Sequence, residues 1–277
     1  LGVGVKAAIM PLQAWLPAAM VAPTPVSALL HAVAVVKSGV FGVLRVVGFV
    51  FGPTVMSRYD LALPLAIIAG FTILAASVLA LAQDNLKRRL AYSTVGHLSY
   101  IVLAAALITP DAFLGGVLHI TTHASMKITL FFVAGAIYAH THRERISELD
   151  GIGRAMPWTM SAFAVGSIGL AGLPPVNGFE SKWFIGAGAA SSGQELALVV
   201  LLISGVLNAA YFFPIVYRAF LRPSKQYEGM GEASPLMVVP LVATAVLSLV
   251  NGVWPNVLVR FYDLAADVAA AVFGGIT

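Results

Sequence analysis

The 277-residue sequence contains no cysteine and few charges. Without cysteine there is no disulfide framework, no thiol nucleophile and no thiolate metal site. Charged residues make up 10% of the chain, against about 25% in a soluble domain. That is too little charge to cover a water-facing surface. No strand-like alternation of apolar and polar residues runs along it, which argues against a β-barrel. No basic n-region or small-residue cleavage site precedes the first apolar run, so the start is not expected to be a secretory signal peptide. There is no nucleophile–base set and no phosphate-cradling glycine loop, and the sequence calls for no cofactor. The net charge of +4 reads as membrane topology and not as a nucleic-acid footprint.

Hydrophobic residues make up 59% of the chain and the mean hydropathy is +0.91, so lipid is the expected solvent. A spanning helix needs about 20 mainly apolar residues. After a partial segment at 1–10 and a proline-rich connection, Pro11 to Pro17, such runs fall near 26–50, 60–82, 88–108, 112–139, 157–190, 195–220 and 234–254. A weaker candidate, 257–275, is interrupted by Arg260, Asp263 and Asp267. The expected fold is all-α, a polytopic membrane helix bundle of about seven or eight spans. Residues 1–25 would be the end of a broken helix and a connection, 26–254 the transmembrane bundle, and 255–277 a C-terminal hydrophobic or amphipathic helix. The chain opens with Leu1 inside an apolar stretch, as though a helix had been cut, so an N-terminal part is expected to precede it.

Basic residues alternate between connections. Lys87, Arg88 and Arg89, then Arg143, Arg145 and Arg154, then Arg218, Arg222 and Lys225 follow every second span, whereas the opposite loops hold Arg58 alone. By the positive-inside rule the basic loops lie in the cytoplasm of a prokaryotic cell. The run 157–190 is too long for one crossing and holds Gly172-Leu-Pro174-Pro175-Val-Asn-Gly178 at its centre. Proline removes a backbone donor, and broken backbone at membrane depth marks ion sites in transporters.

Charges inside spans cost about 2.5–3.5 kcal/mol on insertion scales and point to function. His119, His123 and Lys127 follow one another at intervals of four on one helix face, about 6 Å apart along the axis. That is water-wire spacing for a proton relay, with Thr122 and Ser125 available to hold water. The histidine pair also has the spacing of a metal pair, but no carboxylate lies between the two and Lys127 would repel a cation. His31 and Lys37 lie about 9 Å apart along a span and on different faces, so they should meet different neighbours. Lys182 follows the Pro-Pro break, with Glu180 two residues before it, and Lys6 precedes Pro11. Lys6 is the lysine best suited to snorkelling. A lysine relays protons only when burial brings its pKa toward neutrality, and histidine links such lysines.

Several stretches carry a family resemblance: Lys6 to Pro17, Ala22-Pro-Thr-Pro-Val-Ser-Ala-Leu-Leu-His31, Asn85-Leu-Lys87-Arg88 through Tyr92 to His97, His119 to Phe132, and Gly172 to Lys182. They resemble, in order, the antiporter-like subunits of respiratory complex I, of Mrp sodium/proton antiporters and of membrane-bound hydrogenases. The resemblance implies a longer protein of two inverted repeats, each with a broken helix, of which this chain holds the second. It implies a proton-relay set of Lys6, His31, Lys37, His119, His123, Lys127 and Lys182. It implies other membrane subunits as partners, including the absent first half, with protons as the ion moved and Na⁺ as a second candidate. Glu180 departs from the family pattern, as a partner for Lys182 or for a lysine of a neighbouring subunit. A competing expectation is an antiporter-like scaffold that packs a complex without transporting.

Overall fold

The computed structural model describes residues 2–257 and 259–274, and the described residues are helical with short connections. Helix α1 (Gly2–Lys6) breaks before α2 (Trp15–Ala18). α3 (Thr24–Ala32), α4 (Val35–Arg45) with a wide π-turn to Phe51, and α5 (Gly52–Arg58) form one interrupted crossing. α6 (Ala62–Leu81) and α7 (Leu86–Ala106) make an antiparallel hairpin, followed by the long α8 (Pro110–Thr141). After the short α9 (Ile152–Ala155) come α10 (Pro157–Ala171), α11 (Gly178–Ser191), α12 (Glu195–Leu221), α13 (Pro235–Val253) and α14 (Phe261–Phe273). The last sequence candidate, 257–275, lies partly outside the described residues, and α14 is its described part.

Five of these stretches are long and apolar enough to cross a membrane, Thr24–Arg58 among them. Outward faces such as Leu63, Ile67 and Phe71 on α6, or Leu202 and Val206 on α12, are exposed apolar surface of the kind that lipid or a neighbouring membrane subunit covers. The expected broken helix is present at Gly172–Asn177. A second interruption, at Val33–Ala34, divides the run expected as one helix over 26–50 and places His31 and Lys37 on separate helices.

Helix α8 is the axis of the bundle, packed by α3, α7, α10, α11, α13 and α14. Small residues bring its neighbours close. A methyl group on Gly115 would sit 2.7 Å from the backbone of Ser181 and Ile185 on α11. α8 starts at Pro110, where a missing N–H costs nothing, and Thr109 Oγ1 accepts from Ala112 N at 3.3 Å. α7 starts at Asn85, whose side chain accepts from Arg88 N at 3.1 Å.

The basic connections share one end of the bundle and bind one another. Leu86 N donates to Glu144 O (2.8 Å), Ile146 N to Asp84 O (2.7 Å) and Gly151 N to Arg218 O (3.0 Å). Arg218 pairs with Asp150 at 2.7 Å, and Arg89 reaches the carbonyls of Gln83 and Tyr211. The opposite end is tied by Gln194, which donates to Leu107 O at 2.9 Å.

Candidate proton path

The middle of the bundle is lined by titratable side chains that the helix pack removes from solvent. His119, His123 and Lys127 have 0% relative exposure, His97 1% and Lys37 7%. They come from three helices: α4 supplies Lys37, α7 supplies His97, and α8 supplies the other three. α4 lies against α1 because position 39 is glycine, where any side chain would collide with the backbone of Lys6 and Ala7.

Contacts run through the set without a carboxylate. Lys37 Nζ lies 2.8 Å from His123 Nδ1. His97 Nδ1 lies 3.1 Å from His119 Nε2, with the two rings stacked at 5.3 Å. The His97 ring is also 5.3 Å from that of His123, and His119 and His123 are 5.8 Å apart. His119 Nδ1 meets Ser181 Oγ at 2.8 Å, and Ser181 meets Thr122 Oγ1 at 3.2 Å. His97 Nε2 and His123 Nε2 are buried without a protein partner, the kind of polar atom that holds an ordered water.

Lys127, one turn beyond His123, donates to Ser93 Oγ (2.8 Å) and to the Leu90 carbonyl (3.0 Å), with its ammonium 5.5 Å from the Phe212 ring. Lys182 donates to the Leu170 carbonyl at 2.7 Å and sits 4.8 Å from the Tyr100 ring. The break creates that acceptor. Residue 174, four beyond Leu170, is proline and has no N–H to give. The last carbonyls of α10 therefore carry the negative end of its dipole toward the lysine. Gly172, at φ 88°, ends α10 in the left-handed region, where glycine is favoured.

The remaining sequence candidates fall elsewhere. His31 is fully buried but stacks on Phe131 at 4.8 Å. Its neighbour differs from that of Lys37, which lies beyond the Val33–Ala34 interruption on α4. Lys6 lies on the exposed surface at the end of α1. Glu180 is partly buried beside a cavity of about 280 Å³ shared with Thr121, Asn177 and Asn251. Among the described residues it forms no ion pair with Lys182. His97 was not among the sequence candidates, although it ends one of the quoted stretches. A histidine amid Ser93, Thr94 and Ser99 in the middle of an apolar span was the available signal.

The transmembrane model of the NADH:quinone oxidoreductase/Mrp antiporter family matches residues 1–208. This chain belongs to that family. It is 38% identical over 235 residues to NADH-quinone oxidoreductase subunit N of Desulforudis audaxviator (strain MP104C), covering 83% of this chain and 46% of that protein. It is 34% identical over 267 residues to NADH-quinone oxidoreductase subunit L of Escherichia coli (strain K12), covering 94% and 42%. The chain thus spans about half the length of these curated relatives. Among solved structures it is similar to a chain of the membrane-bound sulfane sulfur reductase, an archaeal respiratory membrane complex: TM-score 0.87, 30% identity, 98% of this chain and 54% of that one. A chain of the Mrp complex from Dietzia sp. DQ12-45-1b shares the fold, with TM-score 0.89, 22% identity, and 99% and 58% coverage. As a member of this family the chain is a membrane protein.

Proposed function

We propose that this chain is a proton-translocating part of a multisubunit membrane complex, and that Lys37, His123, His97, His119 and Lys182 form its path, with Lys127 as the central carrier. The observation that carries this reading is the set of direct contacts from Lys37 to His123 (2.8 Å) and from His97 to His119 (3.1 Å) in the buried middle of the bundle. A buried histidine is neutral or charged according to its neighbours, and a lysine facing only hydroxyls, carbonyls and imidazoles is free to lose its proton. A scaffold has no use for six buried amines and imidazoles, Lys37, Lys127, His31, His97, His119 and His123, whose insertion is costly. His31 completes the set beside Phe131, and Lys6 and Glu180 are read as groups at its entrances.

The relatives' names point to a respiratory or Mrp-type parent assembly, and the motif resemblance adds a hydrogenase-type complex; we read other membrane subunits as flanking this chain, with protons moved and Na⁺ the second candidate. We read 1–25 as the end of a broken helix and its connection, 26–254 as the bundle, and the stretch from 255 as a C-terminal hydrophobic or amphipathic segment whose described helix is α14 (Phe261–Phe273), all within the second of two inverted repeats. The basic end of the bundle faces the cytoplasm of a prokaryotic cell, on the strength of its arginines and lysines.

The test is proton uptake by the assembled complex in liposomes. His97→Leu keeps the bulk and removes the titratable ring, so pumping should fall at least tenfold with assembly unchanged. Pumping at the wild-type rate in that variant refutes the path.

A further inference from the structure

A second line of polar side chains joins Lys127 to Lys182, and the histidine path makes no use of it. Lys127 Nζ donates to Ser93 Oγ at 2.8 Å, and Ser93 Oγ lies 2.9 Å from the Tyr211 hydroxyl. That hydroxyl also reaches Asn208 Oδ1, one turn back on α12. Asn208 Nδ2 donates to the Leu170 carbonyl at 3.2 Å, the same oxygen that accepts from Lys182 at 2.7 Å. Asn208 Nδ2 also lies 3.4 Å from the Tyr100 hydroxyl, whose ring is the other contact of Lys182. Ser93, Tyr211 and Asn208 are each 1% exposed. Both partners of the Lys182 ammonium are therefore partners of Asn208.

We propose that Ser93, Tyr211 and Asn208 are positioning residues: a reversible hydrogen-bond chain that couples the charge state of Lys127 to that of Lys182, in parallel with the histidines. The proposal rests on the transport reading above. Its basis is the donor count. Tyrosine has one hydroxyl hydrogen and cannot donate to Ser93 and Asn208 together. A charged Lys127 has no lone pair, so Ser93 accepts from it. The Ser93 hydrogen then turns to the Tyr211 oxygen, and the Tyr211 hydrogen to Asn208 Oδ1. A neutral Lys127 offers a lone pair, so Ser93 donates to it and Tyr211 donates to Ser93. Asn208 Oδ1 is then left without its donor.

A buried carbonyl without a donor is unfavourable, so the amide readjusts. With it changes the share of the Leu170 carbonyl and the Tyr100 hydroxyl that Asn208 takes up beside Lys182. No covalent bond breaks; hydroxyl hydrogens swing from one lone pair to the next, and such chains polarise cooperatively. The other titratable groups around Lys127 are His123 on α8, His97 on α7, His31 on α3 and Lys37 on α4. Around Lys182 they are Tyr100 and His97 on α7 and His119 on α8. Of these only Tyr100 touches the hydrogen-bond chain, where its hydroxyl meets Asn208 Nδ2.

The experiment uses the assembled complex in liposomes. Tyr211→Phe keeps the ring packed on Phe212, 4.5 Å away, and removes only the hydroxyl. Pumping should fall about tenfold with assembly intact, Ser93→Ala should fall similarly, and the double variant should fall no further than either. Infrared difference spectra between resting and pumping complex should contain an amide carbonyl band that Asn208→Leu abolishes. The same band should vanish in Tyr211→Phe and in Lys127→Met. A tyrosine that merely packs leaves the band in place, and that result, or full pumping in Tyr211→Phe, overturns the proposal. If Tyr211→Phe does not assemble, Ser93→Ala carries the same two readouts. Full pumping in Lys127→Ala overturns the transport reading itself, whereas an inactive Lys127→Ala beside a fully active Tyr211→Phe overturns the coupling chain alone.

Discussion

Replacing Lys127 by arginine and by alanine separates a proton carrier from a structural cation. The lysine is fully buried, and its acceptors are the Ser93 hydroxyl and the Leu90 carbonyl, the latter also accepting from Thr94 Oγ1 at 2.9 Å. A guanidinium keeps the charge but does not deprotonate, with a pKa above about 12. If turnover requires the neutral form near pH 7, about five pH units must be overcome, on the order of 7 kcal/mol and a 10⁵-fold loss of rate. Alanine removes the carrier outright. It loses packed methylenes, at about 0.8 kcal/mol each, but it also relieves the roughly 2.5–3.5 kcal/mol of placing a charge in a span. The two effects are of similar size, so assembly should survive. Proton uptake in liposomes, with subunit content checked on the same preparations, should show no pumping in either variant and normal assembly in the alanine one. A structural lysine gives the reverse order, with arginine tolerated and alanine disrupting assembly. Wild-type pumping in Lys127→Arg would refute the carrier role.

Two further outcomes follow from the loops. Because the chain has no cysteine, single cysteines placed at exposed Lys225 and Ser57 report the two ends of the bundle. An impermeant thiol reagent should reach position 225 from the cytoplasmic side alone and position 57 from the outside alone; the opposite pattern inverts the orientation. Asp84 straps the loop after α6 to Ser147, accepting from its amide (2.9 Å) and hydroxyl (2.7 Å). Burial alone would raise this carboxyl, but those two bonds, with Arg145 and Arg89, hold it below its ordinary range. A carboxyl held down in the folded state stabilises it above the unfolded value of about 4, and that contribution is lost as the pH falls through the lower folded value. The protection of residues 142–149 relative to the intrinsic exchange rate should therefore be high at neutral pH, decline as the pH falls below about 4, and already be low at neutral pH in Asp84→Ala. Equal protection in both proteins at neutral pH contradicts the strap.

What was legible in the sequence depended on whether its cause was local. Apolar run length places the spans, and Pro174-Pro175 marks the break before Lys182, because a missing N–H acts on its own helix. The histidine stripe on α8 follows from the four-residue interval alone. The interruption at Val33–Ala34 contains neither proline nor glycine, so no local residue type announces it. Cross-helix pairs were likewise out of reach. Lys37 meets His123 and His97 meets His119 across helices, and the position of a contact between helices is not written in the periodicity of either. Ser93, Tyr211 and Asn208 had been indistinguishable from the ordinary hydroxyls and amides that hydrogen-bond between membrane helices. What sets them apart is that their chain ends on a carbonyl which Pro174 has deprived of its own donor. The break thus does two things at once. It leaves Leu170 as an acceptor for Lys182, and it makes that acceptor one that α12 can share. A proline far from Lys127 in sequence is therefore what places the two lysines on one hydrogen-bonded line.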